Sequence, residues 1–536
     1  VYSPNAKTKW LDAALTAGLA LLVYVLYRKA VRLWWTYDDA YNLHLVIAHR
    51  LRDFFTSGEV WPQKLFTPLE MVAYRAELSA FGLAASRWYV LQLALVIASA
   101  VAVYAAARAW LAPLPAFVVG ALYVAAVPMC SMATELSVVH YFVAITLGAS
   151  AVAICGMRPQ SGSMTAALQI CSALLYLGAM LAKEIAIPLV ILLILLTRRL
   201  NIPHVVALIL YLLWRRAVLG TFFGGYGWAV AAAEWPSLLA SLPKKLFLGM
   251  AGAGVWIGAI SCLVLLAGAL LALRGGRKTL LIVALLLAVG PIVPVSKEMQ
   301  RRYVLMPWLA LSFAFVAGAN TLPRRARAAL LIAAPLLAIV ANRQEWRAEM
   351  PRLKRMSDEA RVFWDLPPNV LLRAPSVPPA AMGELNWLKT EYAKHPAGTG
   401  WFYDDYYLCA NDVGGKRAWQ YDARTRRVTE LPTPLDLLKR RACGSFRNDV
   451  PLTAEFHFRD QSLFWIFGPY RDGAWRVLLG DGLQAFDVPP RDGFQLGPLP
   501  GFALRIRYES PAGWVTYSPQ IALDFVHRPD ERWSRP

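Results

Sequence analysis

The chain has 536 residues, 57% of them hydrophobic, with a mean hydropathy of +0.42 and a net charge of +20. That is more apolar surface than a water-soluble domain buries, which excludes an ordinary soluble enzyme. Residues 1–341 hold 28 Lys and Arg against 11 Asp and Glu, whereas residues 342–536 are nearly balanced at 27 against 24. A basic surplus confined to the apolar part points to cytoplasmic loops under the positive-inside rule and argues against a nucleic-acid partner.

Apolar blocks matching a hydrocarbon core of about 30 Å predict eleven transmembrane helices, near 10–27, 88–107, 114–130, 138–156, 165–182, 185–197, 203–214, 247–272, 279–295, 303–319 and 328–341. The first reads as a span and not as a cleaved signal peptide. The blocks 185–197 and 203–214 are short and predict tilted or partly re-entrant segments. Loop 29–87 is too long for a turn, and Leu43, Ile47, Leu51, Phe54 and Phe55 recur at helical spacing within it, predicting one helix lying at the membrane interface. With the amino terminus in the cytoplasm, the inner loops hold Arg108, Arg158, Arg198, Arg199, Arg274, Arg277, Lys278, Arg324, Arg325 and Arg327 and no acid. Every acid before residue 342 except Asp12 falls on the other side, so loop 29–87 and the tail 342–536 are expected outside. Arg28, Lys29, Arg215, Arg216, Arg301 and Arg302 also fall there, against the rule, and call for a reason of their own.

The tail turns polar and reads as an independent soluble domain. It starts with helix-compatible sequence. From about residue 450 apolar and polar residues alternate, as in Glu455-Phe456-His457-Phe458-Arg459 and Phe502-Ala503-Leu504-Arg505-Ile506-Arg507-Tyr508. Turn pairs Asp472-Gly473 and Asp481-Gly482 separate such runs, predicting a β-sandwich or other β-rich module there, in a domain that as a whole is expected to be α/β or β-rich. Cys130, Cys155, Cys171 and Cys262 lie in or beside spans and read as small apolar fillers. Cys409 and Cys443 stand alone in the outer domain and are expected to be bonded. The aromatic run Trp401 to Tyr407 fits a sugar-stacking surface or, with more weight, the core of the fold.

The stretch Trp34-Trp35-Thr36-Tyr37-Asp38-Asp39-Ala40-Tyr41-Asn42 carries the strongest chemical signal. Adjacent carboxylates at a membrane surface repel each other, so they need a cation, a metal or a base-like role with one pKa raised; the plainer alternative is a solvated pair capping the next helix. Lys183-Glu184 between two spans, Glu135 and His140 at the entrance of the fourth, and Lys297-Glu298 with Arg301-Arg302-Tyr303 and Pro307 at the tenth all fall on the same side. Ionisable groups near hydrocarbon are costly unless paired or used, so one convergent site is the economical reading. A lone His such as His140 is more often a packed residue than a catalyst.

In the order and common side of these elements (the acidic pair Asp38 and Asp39 in the first outer loop, its interfacial helix, Lys183-Glu184, Arg302-Tyr303 with Pro307, and a soluble outer tail), the membrane half resembles the GT-C superfamily of polytopic glycosyltransferases. The protein O-mannosyltransferases and the lipid A aminoarabinose transferases share this layout. The resemblance implies an α-helical polytopic fold and transfer of a sugar from a polyprenyl-phosphate donor to a glycan, lipid or protein acceptor, with inversion, at the outer face of a bacterial inner membrane. It implies Asp38 as general base, Asp39 as a helper that orients the acceptor or holds a cation, and Lys183, Arg301 and Arg302, with Arg215 and Arg216 in addition, as binders of the donor phosphate. Glu184, Glu135, His140 and Tyr303 complete the candidate substrate site, and use of a divalent cation stays open. A lipid or glycan flippase would place its charges at the bilayer midplane. A non-catalytic scaffold for envelope polysaccharide would need no convergent acids and bases. No Walker loop, dinucleotide fingerprint, zinc spacing or GxSxG element is present.

Overall fold

The computed structural model describes residues 6–36, 38–61, 64–157, 162–197, 201–222, 235–273, 278–293, 299–373, 379–395, 400–422, 425, 427–459, 462–495 and 501–536. The chain divides into two compact units, Val1–Lys354 and Arg355–Pro536.

The first unit is helical. Among the described residues, eight helices are long and apolar enough to cross a membrane: Lys9–Arg32, Ala85–Arg108, Leu136–Cys155, Met164–Ala182, Ile202–Leu219, Val255–Ala272, Arg301–Ala319 and Arg324–Asp365. Three shorter apolar helices, Pro113–Val124, Glu184–Leu195 and Ile282–Ile292, fall in the remaining predicted blocks. Helix is required because hydrocarbon offers no partner to a bare peptide group.

Four details differ from the periodicity. The block 203–214 extends to Ile202–Leu219, a full span, and stops at Gly220 in the left-handed region (φ 74°). The block 114–130 ends its helix at Val124, and a short helix Met129–Thr134 starts after Pro128, whose missing N–H interrupts the ladder. The block 247–272 is two helices, Trp235–Ala251 and Val255–Ala272, parted at Gly252 (φ 71°). The single interfacial helix expected in loop 29–87 is broken: Asp39–Ala48 ends in extended His49, and Asp53–Thr56 starts anew with Asp53 Oδ2 accepting from Arg50 N at 2.9 Å. A further helix, Pro68–Phe81, completes that loop.

Two contacts fix the bundle in informative ways. Asp12, the lone acid among the basic loops, is neutralised by Arg108 Nε at 2.8 Å. Helix Val255–Ala272 crosses Leu305–Ala319 at glycine: a Cβ on Gly318 would lie 1.9 Å from Gly268 O, so the backbones touch as small-residue crossings allow.

The second unit is α/β, then β. Strands β1 (Val370–Arg373), β2 (Gly400–Phe402), β3 (Arg417–Asp422) and β4 (Arg427–Glu430) form a sheet of order β2-β1-β3-β4, with β1 parallel to both neighbours. Helix Pro379–Trp387 lies in the crossover from β1 to β2. In the π-helical turn that follows, buried Lys389 donates to Phe363 O at 3.1 Å and Leu366 O at 2.8 Å, closing the carboxy-terminal end of helix Arg324–Asp365. Cys409 and Cys443 are disulfide-bonded and join helices Tyr406–Ala410 and Leu435–Gly444.

Strands β5 (Leu452–Arg459), β6 (Ser462–Gly468), β7 (Ala474–Leu479), β8 (Gln484–Val488), β9 (Arg491–Gln495), β10 (Gly501–Glu509), β11 (Val515–Tyr517), β12 (Ile521–Asp524) and β13 (Asp530–Arg535) make two antiparallel sheets. Their orders are β11-β10-β7-β8, with β12 also on β10, and β13-β5-β6-β9. The alternation read from the sequence is the in–out pattern of these strands: Phe456, Trp465 and Phe467 of one sheet meet Trp475, Leu504, Ile506 and Tyr508 of the other in one core. Trp401 and Phe402 are buried, and Tyr406 lies beneath the Arg505 guanidinium at 4.6 Å, so these members of the aromatic run serve the fold.

Candidate active site

Aromatic packing sets the acidic pair in place. Buried Trp35 meets Trp88 edge-on at 5.1 Å, Trp88 meets Tyr74 at 5.2 Å, and the single proton of Tyr89 Oη is shared between Trp34 O and Thr134 O, at 3.3 and 3.2 Å. The start of the loop is thereby held against residues 134–138, which lead into the fourth span.

The two adjacent carboxylates have opposite surroundings. Asp39 is 0% exposed; its Oδ2 accepts from Thr36 N at 2.8 Å and its Oδ1 from Ser137 N at 3.0 Å. Burial lifts its pKa well above the usual carboxylate range, with the two N–H groups opposing. Both oxygens are anchored and the side chain is fully buried, so Asp39 ties the loop to the fourth span and presents no surface to a substrate. Asp38 occupies the N-cap position of helix Asp39–Ala48, yet its side chain makes no capping bond and pairs with no described residue. The side chain is exposed at its surface, yet the surrounding protein still withholds part of its hydration. That desolvation raises its pKa, Arg302 lowers it, and Glu70 raises it.

From Asp39 a chain of bonds runs to the tenth span. Ser137, whose N–H holds Asp39, donates through Oγ to Glu135 Oε1 at 3.0 Å, and Arg302 donates to the same oxygen at 2.8 Å. Gln92 fixes the Glu135 backbone, donating from Nε2 to Glu135 O at 3.1 Å. Burial raises the pKa of Glu135 and Arg302 opposes that rise.

A second acid, Glu70, adjoins this chain. Its Oε2 accepts from Thr67 Oγ1 at 2.9 Å, its Oε1 from Asn42 Nδ2 at 3.3 Å, and His140 Nδ1 stands 3.0 Å from Oε1. The sequence does not single out Glu70 for the site, whereas Asn42 closes the stretch that carries its strongest signal. The signal existed: Thr67-Pro68-Leu69-Glu70 has the Ser/Thr-x-x-Glu spacing of a helix start.

Lys183 Nζ lies 3.5 Å from Glu184 Oε2 and 5.4 Å from the centre of the Tyr141 ring. Lys183 and Arg302 both act electrostatically on His140 and on Tyr303, so these four residues share one neighbourhood. Tyr141, also unlisted by sequence, feels Arg302, Glu184, Glu135 and Glu70. The structure thus brings together Asp38, Glu135, His140, Lys183, Glu184, Arg302 and Tyr303.

The other basic candidates turn elsewhere. Arg215 is 2% exposed, donating to Glu184 Oε1 at 2.8 Å and to Lys64 O at 2.9 Å, so it clamps the loop beneath Glu184. Arg216 is exposed and caps its own helix at Gly220 O, with Phe222 under its guanidinium. Arg301 pairs with Glu345 and Glu349 of the long helix. Lys297 and Glu298 lie outside the described residues. Among the described residues no group of three or more His, Cys, Asp and Glu is arranged to hold a metal ion.

No family model and no curated protein matches the chain. Among solved structures, ArnT from Cupriavidus metallidurans bound to undecaprenyl phosphate is similar with a TM-score of 0.46 and 14% identity, over 78% of this chain and 94% of that one. ArnT from the same organism in the apo state gives 0.44 and 14%, over 78% and 93%. Likeness of this extent leaves the assignment of function to the residues of the site itself.

Proposed function

We propose that this chain is an inverting glycosyltransferase of GT-C type, moving a sugar from a polyprenyl-phosphate donor to an acceptor hydroxyl at the extracytoplasmic face of a bacterial inner membrane. The observation that carries the reading is Asp38, an exposed carboxylate of raised pKa with no bonding partner among the described residues, under the influence of a guanidinium, Arg302, that Glu135 holds in place. A base works best when its pKa approaches the working pH, and enclosure moves Asp38 in that direction.

In this mechanism Asp38 takes the proton of the acceptor hydroxyl as its oxygen forms a bond to the anomeric carbon. The bond from that carbon to the phosphate oxygen breaks on the opposite side, and the electron pair leaves with polyprenyl phosphate. Arg302 and Lys183 meet the charge that develops on the phosphate, held in advance by Glu135 and Glu184. Arg215 and Arg301 act as supports in this scheme, and Arg216 has no part in it. Asp39 is fully buried with each oxygen accepting a backbone N–H, so the scheme gives it an anchoring role and assigns it no metal. The outward orientation draws support from the acid-free basic loops and from the Cys409–Cys443 disulfide, a bond suited to an oxidising compartment.

The test is transfer of radiolabelled sugar from polyprenyl-phosphate donors by purified protein. Asp38→Asn should retain donor binding and lose about a hundred- to ten-thousand-fold in turnover. Lys183→Ala should weaken donor binding and turnover together, since its charge meets the phosphate before and during transfer. Undiminished transfer by a folded Asp38→Asn protein rejects the assignment.

A further inference from the structure

We infer that the adjoining ends of the first and last spans form a binding site for the headgroup of an anionic bilayer phospholipid. Of the eight long apolar helices, Lys9–Arg32 and Arg324–Asp365 are the least buried by protein. They pack side by side where their apolar parts end: the Tyr27 and Trp346 rings are 5.5 Å apart, and Asn342 donates from Nδ2 to Tyr27 Oη at 2.6 Å. On each helix an uncovered aliphatic face runs into bases at helical spacing. Leu21 and Val25, 62% and 43% exposed, continue into Lys29 and Arg32. Ile332, Leu336 and Val340, likewise exposed, continue into Arg343 and Arg347.

Arg343 joins the two rows. Its Nη2 donates to Val25 O at 2.8 Å, and a helical carbonyl points at the next turn, here the one that carries Arg28 and Lys29. The Arg28 guanidinium lies 5.5 Å from the centre of the exposed Tyr24 ring. Among the described residues no carboxylate pairs with Arg28, Lys29, Arg32, Arg343 or Arg347. Glu345 and Glu349 are turned about 200° and 240° around the long helix from Arg343, and both are spent on Arg301. Arg28 and Lys29 are also the bases that neither the positive-inside rule nor the transfer scheme accounts for. Crowded cations repel one another unless an anion lies among them, and a phosphodiester offers oxygens to several guanidinium groups at once. The aliphatic faces directly below select a lipid over a soluble anion, because acyl chains can lie along Leu21, Val25, Leu336 and Val340 while the phosphate reaches the bases. A zwitterionic headgroup would bring its own ammonium against these cations, so a net negative one is favoured.

Neither Asp38 nor Arg302 takes part, so the site holds whether or not the chain transfers a sugar. The experiment places full-length protein in nanodiscs with an equal fraction of phosphatidylglycerol or phosphatidylcholine carrying a photoactivatable diazirine on the acyl chain, and maps the crosslinked peptides. Phosphatidylglycerol should label the segments around Val25 and Val340 about tenfold or more above phosphatidylcholine. The triple substitution Arg28→Gln, Lys29→Gln, Arg343→Gln should bring the two lipids to the same level, each lost charge weakening the hold on an anionic headgroup about fivefold. Arg343→Lys gives up the guanidinium bond to Val25 O but keeps the charge, so it should keep the preference and separate electrostatics from damage to the fold. Equal labelling by the two lipids in wild type overturns the inference, as does a preference that survives the triple substitution. Displacement of phosphatidylglycerol from these segments by equimolar polyprenyl phosphate also overturns it, since the bases would then belong to the donor.

Discussion

Asp38 and Asp39 share a backbone and differ in everything that decides chemistry, which no reading of two adjacent letters reveals. The sequence marks the pair as unusual because two carboxylates must be stabilised somehow; which one is spent on structure depends on Ser137, nearly a hundred positions away. Asp39→Asn should therefore act on stability. The amide offers one acceptor oxygen in place of two and sets its NH₂ against a backbone N–H, costing about 1 to 3 kcal/mol. A thermal-unfolding comparison in detergent checks this, and an unchanged midpoint would contradict the anchoring role. Arg302 gives a complementary prediction in pH. It holds the pKa of Asp38 down against desolvation, so Arg302→Gln should let that pKa rise further. The acid limb of the transfer profile, where the base becomes protonated, must then move to higher pH. Loss of rate with an unmoved limb would separate Arg302 from Asp38.

At the scale of elements, hydropathy was sufficient wherever lipid dictates the structure. Each of the eleven apolar blocks contains a helix, since a chain in hydrocarbon must close its own hydrogen bonds. It failed where a single residue overrides a block, as at Pro128 and Gly252, and in loop 29–87, where Asp53 restarts a helix that an apolar stripe appeared to continue. The strands of the second unit were legible from alternation, while the parallel sheet before them was not, because short buried strands such as Val370–Arg373 carry no alternation to read. Lys389 offers a test at this level. Burial pushes its ammonium down to about 8, whereas in an unfolded chain it holds its proton to about 10.4. Between those values the unfolded state binds more protons, so stability must rise with pH across that window. The unfolding midpoint of wild type should gain on that of Lys389→Met from pH 7 to pH 9.5; a constant difference would place Lys389 in an ordinary aqueous setting.

For the molecule as a whole, the convergence of loop, fourth span and tenth span on one neighbourhood was the part of the site most readable in advance, since it follows from which ends of the spans face the same side. The division of labour among the arginines was not, because Arg215, Arg301 and Arg302 are alike in hydropathy and differ only in which carboxylate they meet. Under the proposed transfer reaction, the hold of Arg302, fixed by Glu135, on Asp38 has a thermodynamic consequence. A phosphate arriving at Arg302 cancels the field that favours ionised Asp38 and adds a negative charge nearby, so donor binding must be linked to proton uptake. By reciprocity, lowering the pH toward the pKa of Asp38 must tighten donor binding. Calorimetric titration of polyprenyl phosphate in buffers of different ionisation enthalpy should register a fractional proton taken up per lipid bound, absent in Asp38→Asn. Heats independent of buffer would mean that a phosphate bound at Arg302 does not act on Asp38.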